Sequence, residues 1–220
     1  MKLLLVGSIL SALAACAVDD APEGTSEAVE LVTNTIGPAY IYPAGAGLYR
    51  VRSLVGDTVR CDDGQYAPSC LADALDFSQM ALTYEQRTDL RDRFAIADSS
   101  LANVSVIVSG QWTIVTVRDH RDPPRYYRRV NFQLLSAYRA GSVGLHSTEF
   151  YRLSGVEAQM AQPVTSTHTL PFLVTIEFPG PIIANSYGVV SDGYISGSVA
   201  IDGTRSPPVE LVADRYFQRL

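Results

Sequence analysis

Arginine and tyrosine are interleaved in the segment of the chain that has the strongest binding character. The segment consists of Arg125, Tyr126, Tyr127, Arg128 and Arg129. Guanidinium groups bind phosphate and carboxylate groups, and tyrosine rings stack on sugars or on guanidinium groups. We therefore take these five residues as a candidate binding surface. The alternative interpretation is an ordinary hairpin strand that holds its tyrosines on one side and its arginines in water.

Residues that could carry catalysis are few. The histidines are His120, His146 and His168. His120 lies in an Asp-His-Arg-Asp run, but the adjacent arginines oppose metal binding and favour a polar loop tip. His146 lies in a strand-like alternation, which favours a structural role. The serine-hydrolase, zinc-protease, P-loop and dinucleotide motifs are missing. We expect no catalytic residue, no metal ligand and no cofactor, although the paired carboxylates of a glycosidase would leave no spacing signal.

The chain has three cysteines. Cys16 stands alone near the amino terminus, and Cys61 and Cys70 form a pair. Turn-forming residues fill the loop from Cys61 to Cys70, so its ends can approach each other. In an oxidising compartment such a pair is normally bridged. The competing interpretations are a two-thiolate metal site and a redox pair. Neither finds support, because the loop has no CxxC spacing and no nearby histidine. We predict a Cys61–Cys70 disulfide.

The amino terminus has the pattern of a secretory signal. Lys2 precedes a run of apolar and small residues from Leu3 to Ala15, which is too short to span a bilayer. The run ends in Leu-Ala-Ala-Cys at Cys16. This ending resembles the bacterial lipobox, in which the signal is cut before the cysteine and the cysteine is diacylated. The resemblance implies a signal peptide over residues 1–15 and a lipid anchor on Cys16. The alternatives are an ordinary signal peptide with a chance cysteine and a short membrane anchor.

Charge and composition limit the partners. The formal net charge is −6, with 47% hydrophobic and 18% charged residues, which indicates a globular protein that does not attract nucleic acid. In enteric bacteria an aspartate directly after the lipidated cysteine retains a lipoprotein at the inner membrane, whereas here Ala17 follows Cys16 and the first aspartates are Asp19 and Asp20. By that resemblance we expect the outer membrane. Membrane contact would then come from the acyl chains and not from a basic patch.

The pattern of residues predicts three regions after the signal peptide. Residues 16–38 are acidic and rich in small side chains, which indicates a flexible tether. Residues 39–141 are predicted to form a β-rich unit with the disulfide loop and one helix. Residues 142–220 are predicted to form a second β-rich unit. The fold class is mostly β, of the α+β type, with antiparallel strands.

Local signals place the helix and the hairpins. Residues 83–94 are predicted to be helical, because Thr83 and Gln86 form a capping box. Asp89 and Arg93 lie one turn apart, and we interpret them as surface charges. Residues 103–108 and 112–117 are predicted to pair as a hairpin around Ser109-Gly110. A second hairpin is predicted from 126–139 and 143–153.

The two β-rich units share short similar sequences. Leu-Tyr-Arg-Val at Leu48–Val51 is similar to Phe-Tyr-Arg-Leu at Phe150–Leu153. Such an echo is typical of an internal duplication, and equally of unrelated aromatic strands. The second unit is therefore either a diverged copy of the first or a unit whose aromatic strands are similar by chance.

A longer pattern resembles a known domain family. Tyr-Arg-Val-Arg at Tyr49–Arg52 precedes the two-cysteine loop, the charged helix and strands that close on Leu-Leu-Ser-Ala-Tyr-Arg-Ala at Leu134–Ala140. This order resembles a domain of uncharacterised function that occurs, often in tandem, in secreted proteins and lipoproteins of Gram-negative bacteria with GC-rich genomes. The resemblance implies a secreted or lipid-anchored protein and implies no known activity.

Two classes of function follow. The first is a membrane-anchored envelope lipoprotein that acts as a non-catalytic binding or structural module, with an envelope protein or a glycan as partner. The alternative is a hydrolase that acts on an envelope or extracellular polymer. The lack of nucleophile, metal and cofactor motifs favours the first class. A passive surface-coat lipoprotein without a discrete partner is a third option.

Overall fold

The computed structural model describes residues 24–119, 123–141, 147–154, 160–165, 175–177, 193–201 and 209–220. These residues are mostly β, with largely antiparallel pairing and one α-helix, α1 (Tyr84–Ile96). The predicted fold class is thereby confirmed. No helix in these ranges is both long and apolar enough to cross a membrane.

The strands are numbered in chain order. They are β1 (Gly24–Gly45), β2 (Leu48–Ser53), β3 (Val59–Arg60), β4 (Tyr66–Ala67), β5 (Cys70–Ala72), β6 (Ala74–Asp76), β7 (Val106–Asp119), β8 (Tyr126–Ala140), β9 (Phe150–Ser154), β10 (Met160–Pro163), β11 (Thr175–Glu177), β12 (Gly193–Ile201) and β13 (Val209–Arg219).

One sheet runs in the order β10-β9-β12-β13-β8-β7-β1-β2-β5. β11 joins it by pairing in parallel with β13. β6 follows β5 after the single residue Asp73 and pairs in parallel with β8. The strands β1, β2, β5, β6, β8 and β7 are therefore connected in a circuit, in which each step is a strand pairing except the one from β5 to β6, which the chain makes through Asp73. β3, which directly precedes Cys61, and β4, inside the cysteine loop, form a separate two-stranded ladder.

Two hydrophobic clusters lie on opposite faces of β7, because successive side chains of a strand point to opposite sides. Val106 and Val108 belong to the first cluster, which also contains Trp112 and the helix residue Phe94. Ile107 belongs to the second cluster. That second cluster contains apolar residues from both halves of the chain: Tyr40, Leu54, Val104, Tyr138, Ala140, Phe150, Tyr194 and Phe217.

The predicted helix is confirmed, and so is its capping box. The backbone N–H of Gln86 donates to Thr83 Oγ1 at 3.2 Å, and the backbone N–H of Thr83 donates to Gln86 Oε1 at 2.9 Å. These bonds satisfy donors that the first turn leaves without partners. Leu90 and Phe94 are buried, so α1 packs on the first cluster.

The tether prediction is wrong for residues 24–38. β1 already begins at Gly24 and pairs with β7 from Gly24↔Asp119 to Ala39↔Val108, with register shifts on the way. The stretch contains several β-branched residues between its acidic ones, and a long partner strand provides the backbone hydrogen bonds. Pairing with a distant strand has overridden the local composition. Residues 16–23 lie outside the described ranges.

The predicted boundary between the two β-rich units follows β8, yet the units are not independent. β13 pairs with β8 from Phe217↔Ala140 to Arg219↔Tyr138, so both belong to one sheet. The first unit also begins earlier than residue 39, because β1 starts at Gly24. The two similar tetrapeptides lie on β2 and within β9. An internal duplication stays a prediction.

Both predicted hairpins are wrong. β7 runs unbroken from Val106 to Asp119, and its pairing with β8 shifts by one residue at Ser109/Gly110. Glycine is needed there for close packing: a Cβ at Gly110 would lie 2.5 Å from the Gln133 carbonyl oxygen and 2.6 Å from Phe132 Cε1. The second hairpin fails because β9 pairs with β10 and β12, whereas β8 pairs with β7, β6 and β13.

Candidate functional site

The cysteine loop lies against the first hydrophobic cluster. Cys61 and Cys70 are bridged, with their Cα atoms 5.4 Å apart, which confirms the predicted disulfide. Cys70 is buried in the cluster and Cys61 packs against it. The Nε1–H of the buried Trp112 donates to the Arg60 carbonyl at 2.9 Å. The disulfide thus closes the loop, and the buried Cys70 and the tryptophan hydrogen bond to Arg60 hold the ends of the loop to the core.

An ion pair joins this loop to the beginning of β8. Arg128 Nη2 donates to Asp62 Oδ2 at 2.7 Å. The Arg128 side chain is 52% exposed, whereas that of Asp62 is 16% exposed. Because an exposed pair of this kind contributes only about 0–1 kcal/mol, its main effect is to fix the loop beside the strand.

The candidate binding segment from Arg125 to Arg129 lies at the start of β8, and strand alternation divides its side chains. Tyr126 and Arg128 share one face of the strand, and Tyr127 and Arg129 share the other. The alternative interpretation agrees with the structure in one respect, because the segment lies on a strand that pairs antiparallel with the preceding strand β7. Its sorting of the side chains is wrong, because each face carries one tyrosine and one arginine. Arg125 precedes the strand and is exposed.

Two exposed tyrosine rings flank the ion pair along the chain. Tyr126 is 57% exposed on β8, and Tyr66 is 68% exposed on β4 of the cysteine loop. We call Asp62, Tyr66, Arg125, Tyr126 and Arg128 the loop–strand surface. Aromatic rings beside guanidinium groups can stack on sugar rings and hold anionic groups.

A second polar cluster escaped the sequence analysis. Arg93 Nε donates to Asp89 Oδ1 and Oδ2 at 3.1 and 3.0 Å, and Arg139 Nη1 donates to Asp89 Oδ2 at 3.2 Å. Arg93 has a side chain only 12% exposed, so its interpretation as a surface charge is wrong. Arg215 on β13 is 7% exposed and lies within electrostatic reach of Arg93. We call Asp89, Arg93, Arg139 and Arg215 the arginine cluster.

Burial and charge shift two pKa values in the arginine cluster. Partial burial alone would raise the pKa of Asp89, but hydrogen bonds from Arg93 and Arg139 outweigh it, and the pKa falls below its ordinary value. Burial lowers the pKa of Arg215. Asp214 opposes that shift, and the positive charge of Arg93 adds to it. Asp89 is therefore held as a carboxylate between arginines.

Two guanidinium nitrogens of the cluster have no hydrogen-bond partner within the described part of the chain. They are Nη1 of Arg93 and Nη1 of Arg215, and both are buried. Buried side-chain donors of folded proteins are usually satisfied by the protein, by water or by an ion. One signal in the sequence could have revealed Arg215: alternation on β13 places it between Ala213 and Phe217, which are both buried.

Several predicted residues lie outside the described ranges. They include the lipidation residue Cys16 and the histidines His120, His146 and His168. Within the described residues, no group of three or more histidine, cysteine, aspartate or glutamate side chains could hold a metal ion. The expected lack of catalytic, metal and cofactor residues stays a prediction.

No family model matches the chain, no curated protein matches it, and no solved structure matches it. The resemblance to the two-cysteine-loop family stays a prediction.

Proposed function

We propose that this chain is a lipid-anchored protein of the bacterial envelope that works as a non-catalytic binding module. The anchor would be a diacylated Cys16, as the Leu-Ala-Ala-Cys sequence suggests, and the residues that follow it favour the outer membrane. The partner would be an envelope glycan or protein with anionic groups, bound by the loop–strand surface.

The observation that carries this proposal is the position of the loop–strand surface. In the register of the sheet, Thr25 on β1 pairs with Arg118 on β7, and Arg118 pairs with Tyr126 on β8. The strand that leads back to Cys16 therefore begins at the end of the sheet where Tyr126 lies. A surface at that end stays close to the anchoring membrane.

The composition of the surface supports an anionic partner. Tyr126 and Tyr66 offer exposed rings, and Arg125 and Arg128 offer guanidinium groups. A rigid base supports them, because the disulfide and the Trp112 hydrogen bond fix the loop. Binding sites built on rigid elements lose less conformational entropy when they bind.

Crosslinking in the native host tests the proposal. A C-terminally tagged chain is crosslinked in cells, purified and analysed by mass spectrometry for co-purifying partners and for the acyl mass on Cys16. We expect an acylated Cys16 and one dominant envelope partner, which the variant Tyr126→Ala/Arg128→Ala loses. The matched control is Tyr84→Ala/Arg87→Ala, an exposed tyrosine and arginine on α1.

Two results would contradict the proposal. An unmodified Cys16 in membrane-free fractions would refute the anchor. Equal capture of the partner by the wild type and by Tyr126→Ala/Arg128→Ala would refute the loop–strand surface as the binding site. The loss of its ring and its guanidinium group would then have no more effect than the control substitutions on α1.

A further inference from the structure

We propose that the loop–strand surface binds a linear acidic glycan, whose sugars carry carboxylates, and that Asp62 limits this binding because it already holds Arg128. This inference rests on the proposed function and deepens it, since it names the class of partner and a residue that regulates the affinity. It also adds Arg60 to the residues that contact the partner. Its structural basis is a tyrosine–arginine pair that occurs twice beside the Asp62–Arg128 ion pair.

The first tyrosine–arginine pair lies on β8. Tyr126 and Arg128 point to the same face of the strand, and their positions are about 7 Å apart, which is twice the rise per residue. Tyr126 is 57% exposed, and the Arg128 side chain is 52% exposed. A sugar ring that stacks on Tyr126 can therefore offer a neighbouring carboxylate to Arg128.

The second pair lies on β3 and β4. Arg60 and Tyr66 are direct cross-strand partners, so their side chains lie side by side on one face. Both residues are exposed, whereas Val59, the neighbour of Arg60, is buried and points to the core. The guanidinium group of Arg60 lies beside the turn, with Nη2 3.6 Å from the position that a Cβ on Gly64 would occupy. The hydrogen bond from Trp112 to the Arg60 carbonyl fixes the backbone of this pair.

The ion pair brings the two tyrosine–arginine pairs next to each other. Asp62 lies in the turn that joins β3 to β4, and Arg128 Nη2 on β8 donates to its Oδ2 at 2.7 Å. Two like pairs on neighbouring elements match a ligand that repeats both its rings and its charges, as an acidic glycan does. A peptide rich in acidic side chains would meet the guanidinium groups but would bring no ring to stack on Tyr66 or Tyr126.

Asp62 competes with such a ligand for Arg128. A ligand carboxylate that reaches Arg128 comes close to the Asp62 carboxylate, and two like charges about 5 Å apart in water repel each other enough to weaken binding about fourfold. The second carboxylate of the turn, Asp63, accepts the Gln65 N–H at 2.9 Å and belongs to the turn itself. The loop does not depend on Asp62, because the disulfide closes it and the Trp112 hydrogen bond holds it to the core.

Isothermal titration calorimetry on the full chain in a mild non-ionic detergent tests the inference. The probes are an octamer of mannuronic acid, maltooctaose as its uncharged counterpart, and an octapeptide of glutamate. We expect the mannuronate octamer to bind at least about tenfold more tightly than either of the other two. Arg60→Gln and Arg128→Gln should each weaken its binding about fivefold. Arg87→Gln, an exposed arginine of α1, should leave it unchanged.

The variant Asp62→Asn separates a competing role of Asp62 from a structural one. It keeps the shape of the side chain and removes the charge, so it should strengthen the binding of the mannuronate octamer about fourfold. If Asp62 only held the loop, the same change would weaken binding or leave it as it is. Asp92→Asn, an exposed aspartate of α1, is the control and should bind like the wild type. Native Trp112 emission checks that each variant is folded.

Three results would overturn the inference: no binding of the mannuronate octamer to the folded wild type, equally tight binding of the glutamate octapeptide, or no gain in affinity in Asp62→Asn. Failure of the inference differs from failure of the proposed function. A partner captured in cells through Tyr126 and Arg128, without mannuronate binding, would refute the acidic glycan and support the surface. Loss of both results would refute the loop–strand surface itself.

Discussion

The disulfide allows the most precise stability prediction, because the bridged loop is short and Trp112, whose fluorescence reports unfolding, is hydrogen-bonded to Arg60 beside Cys61. Cys61 and Cys70 are 9 residues apart. The chain-entropy relation for a loop of that length gives about 2.6 kcal/mol of stabilisation, through the constraint on the unfolded chain. Reduction of the bridge should therefore lower the free energy of unfolding by about that amount.

Reduction with a phosphine is the cleanest perturbation. It keeps both sulfur atoms in place, whereas Cys70→Ala would also leave a gap in the first hydrophobic cluster. With a urea m-value of about 2–3 kcal/mol/M for a chain of this size, the unfolding midpoint should fall by about 1 M. Asp62→Asn is the control, because it removes the ion pair to Arg128 and leaves the bridge; we expect a loss of at most about 1 kcal/mol.

Fluorescence follows both the loop and the fold. Trp112 is the sole tryptophan, and it is buried, bonded to the Arg60 carbonyl and packed edge-on against Phe132 with ring centroids 4.9 Å apart. Its native emission should stay blue after reduction, because neither contact needs the bridge. A midpoint that moves by less than about 0.2 M would refute the entropy argument. A red-shifted native emission after reduction would refute the expectation that the Trp112 contacts persist without the bridge.

Two further predictions concern the core and the arginine cluster. Gly110→Ala should lower the free energy of unfolding, measured in urea, by about 1–3 kcal/mol, because its Cβ would overlap Phe132 and the Gln133 carbonyl. Gly141→Ala is the control, because its Cβ would meet open space, and its free energy of unfolding should stay within about 0.5 kcal/mol of the wild-type value. Asp89→Asn should lower the free energy of unfolding by about 2–3 kcal/mol at pH 7, which lies between the values for exposed and for buried ion pairs. Because the folded pKa of Asp89 is lowered, that difference should shrink as pH falls below about 3.9, the pKa of an unfolded aspartate; a constant difference would refute the ion pairs.

Local signals predicted the elements whose causes are local. The helix follows from the Thr83–Gln86 capping box, which needs only a four-residue window. The disulfide follows from two cysteines joined by a loop of turn residues. In both cases the interacting residues are near neighbours in the chain, so few alternative partners compete with them.

Strand pairing was predicted poorly, because its causes are distant. Nothing within residues 24–38 indicates that they pair with β7, whose residues lie about 70 to 95 positions later in the chain. Ser109-Gly110 has the composition of a turn, yet its glycine serves the close approach of Phe132 from β8. A glycine in a strand-like sequence is therefore ambiguous between a turn and a bulge until the partner strand is known.

The arginine cluster was missed for the same reason, because its members are distant from each other in the chain. Its members come from α1, β8 and β13, and only Asp89 and Arg93 have a spacing that the sequence displays. The one remaining clue is an arginine on the buried face of β13, at a position where alternation calls for an apolar side chain. Charged residues at such positions are rarely buried without a partner.

The early start of β1 changes what a lipid anchor on Cys16 would permit. A flexible tether through residue 38 would let the folded part reach far from the bilayer. With β1 starting at Gly24, only eight residue steps separate it from Cys16, and a fully extended chain of that length spans at most about 28 Å. Because β1 begins at the end of the sheet that carries Tyr126, the loop–strand surface would face a zone within a few nanometres of the membrane. With the proposed anchor in place, a partner of that surface would lie at the membrane itself or in the layer directly above it.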